Sequence, residues 1–87
     1  MNSDIFAELQ EVLALATNHN VEEIQPISQL EADLGVNMED DFPRILADVN
    51  RRFEIKLQMS HVLSELEEAG DTVEQLAKLV EEEVELG

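Results

Sequence analysis

The densest run of chemically able side chains is Asn37-Met38-Glu39-Asp40-Asp41, which offers carboxylates, one carboxamide and one thioether. Carboxylates at that density suit a divalent cation, a basic protein surface or the positive end of a helix dipole. Asp33, Gly35, Asn37 and Glu39 alternate as oxygen ligands do in a calcium-binding loop. That pattern needs a glycine at its sixth position and a glutamate at its twelfth, which is Arg44 when Asp33 is first. A solvated helix start is therefore favoured over a weak cation site. Nucleophiles are scarce. There is no cysteine, and no residue from Gly35 to Phe53 is serine, threonine, tyrosine or cysteine. His19 and His61 each lie near an element end in polar company, which favours surface or capping roles. No serine–histidine–acid set can be assembled from these positions, and no glycine-rich phosphate loop is present. The chemistry points away from catalysis and toward recognition.

Charge narrows the partner. The net charge is -16 over 87 residues. Residues 1–43 carry -10 with no base at all, residues 44–56 carry +2 through Arg44, Arg51, Arg52 and Lys56, and residues 57–87 carry -8. Such a surface repels nucleic acid and anionic lipid and is steered toward basic proteins. Basic residues interleaved with aromatics, the footprint of nucleic-acid binding, are absent. The longest apolar run, Val12 to Ala16, is far too short to insert in a membrane. No basic leader precedes an apolar stretch, so the expected compartment is the cytoplasm. One small domain, spanning residues 1–87, is expected, and it is expected to be a monomer. A chain of this size buries only roughly 60% of its extended surface, so its stability should be modest. Its three aromatic residues are Phe6, Phe42 and Phe53, so the core must be mostly aliphatic.

The elements that must position the acidic run are helical. Ile5, Phe6, Leu9, Val12, Leu13 and Ala16 recur at steps of three and four and predict a helix over 4–17, with Asn2 or Ser3 as cap and Asp4 near its positive end. Asn18 to Asn20 end it. Residues 18–38 form a long connection broken by Pro26, yet studded with Val21, Ile24, Ile27, Leu30, Leu34 and Val36, so it should pack down on the helices. Ser28 is expected to cap a short turn over 29–32. Phe42, Ile45, Leu46, Val49 and Phe53 predict a second helix over 42–53, with Pro43 in its first turn, Asp41 as cap to the Arg44 N–H, and Arg51 and Arg52 at its negative end. Ser60 is expected to cap a short third helix carrying Val62, Leu63 and Leu66 and ending at Gly70. Asp71-Thr72-Val73-Glu74 reads as a capping box opening a last helix with Val73, Leu76, Ala77, Val80 and Val84 on one side. Glu81, Glu82, Glu83 and Glu85 crowd its negative end, where fraying is expected.

Three or four amphipathic helices with a long first loop make an all-α bundle. The order of its markers resembles the acyl carrier protein family from about Phe6 to Val80. These markers are Ile27 to Leu30, Glu31-Ala32-Asp33-Leu34-Gly35, Ile45-Leu46 with Val49, Phe53-Glu54-Ile55, and Asp71-Thr72-Val73 with Leu76. The resemblance implies a carrier-like bundle of three to four helices and a 4'-phosphopantetheine arm on a serine at the head of the second helix. That aspartate-serine-leucine triplet falls on Asn37-Met38-Glu39 counted from Gly35, and on Met38-Glu39-Asp40 counted back from Phe53. Neither register holds a hydroxyl. Met38 therefore stands at the attachment position and cannot take the arm. Filling a gap beneath the loop is favoured for it over a surface contact, and no cofactor is expected unless an atypical serine is used. Ser60, followed by Glu65 and Leu66 at carrier-like offsets, is the one such candidate, although a helix cap is the favoured role. Ser28 and Ser64 resemble an attachment site less. The family docks its acidic second helix on basic enzyme surfaces. Here Asn37, Met38, Glu39, Asp40 and Asp41 would form that contact, and Arg44, Arg51 and Arg52 a second, basic one. The expected function is a non-catalytic docking module in fatty-acid, polyketide or peptide synthesis. The alternatives are a carrier modified at Ser60 and a regulatory or structural bundle that shares only the fold.

Overall fold

The computed structural model describes the backbone of residues 3–86 and the side chains of residues 5–86. The cap expected at Asn2 or Ser3 and the side chain of Asp4 lie outside them. Four helices follow in order: α1 (Ser3–Thr17), α2 (Phe42–Phe53), α3 (Met59–Ala69) and α4 (Val73–Leu86). There is no strand among the described residues, only an isolated bridge between Gln29 and Thr72. The molecule is an all-α four-helix bundle with a long first loop.

Burial explains the order of packing. α1 lies against both α2 and α4, and α3 lies against α4. Ile5, Leu9, Val12 and Leu13 of α1 are buried as their spacing predicts, and Phe6 packs at their margin. Ala16 is exposed instead, because it borders an open groove toward Arg44 and Asp48 of α2, and Ala14 is buried in its place. α4 has neighbours on two sides, so its buried face is wider than one stripe and includes Leu79 as well as Val73, Leu76, Ala77 and Val80. Val84 is exposed and not part of the core. The helix extends to Leu86. α1 ends where Asn18 turns left-handed at φ 59° and the His19 N–H reaches back to the Ala14 carbonyl at 3.0 Å.

The loop is anchored as its apolar residues suggest, but by only some of them. Ile24, Leu30, Leu34 and Val36 are buried, whereas Val21 and Ile27 face outward. The Gln10 carboxamide donates to the Ile24 carbonyl at 2.7 Å and ties the loop to α1. A second attachment holds it to the head of α4. The Val73 N–H donates to Ser28 O, the Glu74 N–H to Pro26 O and the Leu30 N–H to Asp71 O, at 2.8–2.9 Å. The first two bonds satisfy donors that a helix start otherwise leaves orphaned.

That arrangement changes the expected capping box. The Asp71 carboxylate accepts the Glu31 N–H at 3.1 Å, and the cap of α4 is Thr72, whose hydroxyl accepts the Gln75 N–H at 3.2 Å. Thr72→Ala is expected to cost about 1 kcal/mol, seen as a lower urea midpoint at unchanged slope, with Thr72→Ser recovering most of it. Two serines are also placed differently from expectation. The Ser28 hydroxyl accepts the Gln25 N–H at 3.0 Å, and the carboxylate that reaches the Gln29 N–H is that of Asp33, at 2.7 Å. Ser60 is the second residue of α3, after a start at Met59, and makes no cap bond because Gln58 occupies the cap position.

Candidate docking surface

The corner before α2 is built by Asn37. Gly35 precedes it at φ 74°, a left-handed conformation that a glycine takes without strain. The chain then reverses, and the Asn37 carboxamide oxygen accepts the N–H groups of Glu39 and Asp40, both at 2.9 Å. Its carbonyl accepts the N–H groups of Asp41 and Phe42 at 2.8 and 3.0 Å. A helical turn over 38–41 thus leads into α2 and is capped four residues upstream of the expected cap. Asp41 has helical angles (φ -93°, ψ -38°), and its carboxylate points backward to the Asn37 N–H at 3.1 Å rather than forward to Arg44. A residue already inside a turn cannot place its side chain over the next turn's N–H groups, which is why the expected Asp41 cap is absent. Met38 lies in this turn and outside the regular helix.

Met38 is half-buried and packs on the core. It forms one wall of a groove of about 460 Å³ with Leu63 and Leu66 of α3 opposite, and with Glu31, Glu67 and Asp71 at the rim. No base lines this groove. Glu39 and Asp40 are exposed at the same corner. The groove thus sets apolar side chains beside carboxylates, with no opposite charge among its lining residues.

The other expected contact residues divide. Asp41 and Arg44 do not border the Met38 groove. They line a groove of about 410 Å³ on the α1 side, with Leu15, Ala16 and Asp48. Arg44 is exposed and makes no ion pair among the described residues. Arg51 pairs with Asp48 one turn earlier on its own helix. Arg52 is engaged across to α1: its Nε meets Glu8 at 3.0 Å and its Nη2 meets Glu11 at 2.8 Å. Hydrogen bonds to Glu11 and then Glu8 raise the guanidinium's pKa above its ordinary value, and the two contacts make Arg52 an interhelical tie.

Ser60 is exposed in the first turn of α3 and does not line the Met38 groove. Ser64 is exposed further along α3, and Ser28 is buried. His19 is half-buried, with Nε2 3.3 Å from Leu34 O and Nδ1 3.7 Å from the Glu23 carboxylate, so it joins the end of α1 to the loop. His61 is exposed on α3. Among the described residues no group of three or more His, Asp or Glu is arranged to hold a metal ion, and no helix is long and apolar enough to cross a membrane.

Sequence reasoning missed Leu63 and Leu66 as lining this groove, because bringing residues 38 and 63 to one groove depends on how α3 packs. The signal in hand was Leu63, apolar beside Val62 and Leu66 and therefore off the centre of the buried stripe. Comparison of the chain with protein-family models and with curated proteins gives no match.

Proposed function

We propose that this protein is an acyl-carrier-like docking module without a phosphopantetheine arm, working in the cytoplasm beside an enzyme of fatty-acid, polyketide or peptide synthesis. The observation that carries the reading is the corner itself. A Leu34-Gly35 turn, an Asn37 cap and the residue after that cap stand in the order in which carriers present their attachment serine, and that residue is Met38. Arm transfer needs a hydroxyl oxygen that attacks the phosphorus bearing the pantetheine arm of coenzyme A, breaks the pyrophosphate P–O bond to release adenosine 3',5'-bisphosphate, and loses its proton. A thioether has no such proton and cannot form the phosphodiester. What the corner retains is a contact surface: Met38, Leu63 and Leu66 under Glu31, Glu67 and Asp71, with Glu39 and Asp40 alongside. Its partner is a basic surface, drawn in by the acidic field.

The test is binding to purified acyl-metabolism enzymes across a salt series. Affinity is expected to fall steadily as salt rises, and Asp40→Lys is expected to weaken it about tenfold, since a like charge at a docking rim costs a kcal/mol or more. Binding indifferent to both changes contradicts the reading, as does the absence of any such partner. A second reading, loading at Ser60, draws on the exposure of that hydroxyl in the first turn of α3. Intact mass after treatment with coenzyme A and a phosphopantetheinyl transferase separates it from the first.

A further inference from the structure

A separate surface lies where α1 and α2 meet. Leu15 is 84% exposed there, the most exposed large apolar side chain among the described residues. Beside it run Asp41, Arg44, Asp48 and Arg51, which border the two grooves that Leu15 and Ala16 also line. These four positions are spaced three, four and three residues apart, so they form one stripe along α2 and the helical turn that precedes it. Their signs alternate along the stripe. Arg44 makes no ion pair, and Arg51 is bound only to its own helix neighbour Asp48 with most of its side chain in solvent.

We infer that this face binds a second copy of the chain through an antiparallel, two-fold pairing of the α2 stripes. The argument is one of register. A two-fold axis beside the middle of the stripe sets Asp41 opposite Arg51 of the second copy and Arg44 opposite Asp48 of the second copy. Each contact then occurs twice. All four contacts are between opposite charges, whereas a parallel alignment in the same register opposes like with like. Leu15 and Ala16 line both grooves along the stripe, so apolar surface lies beside the charged pairs, a combination that specific interfaces use. A chain of net charge -16 repels its own copy nearly everywhere else. This face carries both signs and is where two copies can approach. The one large exposed apolar residue on it makes the dimer weak, toward the low end of interface sizes. None of the residues lining the Met38 groove belongs to this face, so the inference stands or falls independently of the proposed function.

The pairing is tested by sedimentation equilibrium of the whole chain from about 10 µM to about 1 mM. The salt is set near 0.15 M, where repulsion between the two bodies is screened beyond roughly 8 Å but contacting charges are not. The wild-type average mass is expected to climb from monomer toward dimer. Arg44→Asp alone and Asp48→Arg alone each set like charges opposite one another and should each weaken association about tenfold or more. The double variant R44D/D48R restores opposite charges at unchanged net charge and should recover it. An equimolar mixture of the two single variants should do the same, since position 44 of one copy then faces position 48 of the other with opposite sign. Circular dichroism on every variant confirms the helical fold, and the mixture supplies the answer should the double variant misfold. A wild type that stays monomeric, or that associates indifferently to the single changes, overturns the inference and leaves the face to another protein. So does a failure of both the double variant and the mixture to recover association.

Discussion

Phe42→Ala is expected to remove most of the protein's stability. Phe42 is fully buried, is one of only three aromatic residues and opens α2 at the point where the Asn37 turn enters the core. Removing a buried phenylalanine side chain costs roughly 3–5 kcal/mol in lost transfer energy and residual cavity. A domain of this size has a total stability toward the low end of about 5–15 kcal/mol, so the loss approaches the whole. Urea unfolding followed by far-ultraviolet circular dichroism measures it. A midpoint within error of wild type would mean that Phe42 does not anchor the corner. Phe42→Leu keeps most of the volume and should retain the fold with a smaller loss.

Asn50→Ala is expected to have the second-largest effect, through polar groups rather than apolar volume. The Asn50 carboxamide clasps the backbone of Leu57 in the α2–α3 connection. Its Oδ1 accepts the Leu57 N–H at 2.9 Å, and its Nδ2 donates to the Leu57 carbonyl at 3.2 Å. Leu57 is buried, so truncating Asn50 strands a donor and an acceptor away from water. Orphaned groups of this kind cost roughly 1–3 kcal/mol. Asn50→Asp keeps the acceptor but loses the donor and should fall between Asn50→Ala and wild type. Because this connection sets where α3 begins, exchange of the Leu57 amide hydrogen should speed up together with that of the first turns of α3. A loss confined to Leu57 would show that α3 holds its place without the clasp.

The helices were legible in the sequence where a single apolar stripe decides them. The bounds of α2 follow from Phe42, Ile45, Leu46, Val49 and Phe53, with Pro43 confined to the first turn. The end of α3 at Gly70 follows from that glycine, which takes φ 102°. What escaped was decided by tertiary neighbours. Thr72 rather than Asp71 caps α4, because Asp71 is drawn to the Glu31 N–H, forty residues away in the chain. Asn37 rather than Asp41 caps the approach to α2, because an extra helical turn lies between them that spacing alone does not reveal. In sequence the acidic run 37–41 looks like one contact, yet Asp41 borders the groove on the α1 side while Met38 shares a different groove with Leu63 and Leu66. Arg44, Arg51 and Arg52 lie close enough in sequence to suggest one basic contact. Their positions relative to α1 leave Arg44 open and Arg52 tied to Glu8 and Glu11. Residue types indicated which chemistry was available, and packing decided which groups were free to use it.

The central claim, a carrier-like corner without an arm, is tested most directly by intact mass. The purified protein is incubated with coenzyme A and a promiscuous phosphopantetheinyl transferase, with an ordinary carrier protein treated alongside. The account predicts an unchanged mass for this chain while the control gains one phosphopantetheine. A gain of one phosphopantetheine contradicts it, and fragment mapping to Ser60 would then make the protein a working carrier loaded on α3.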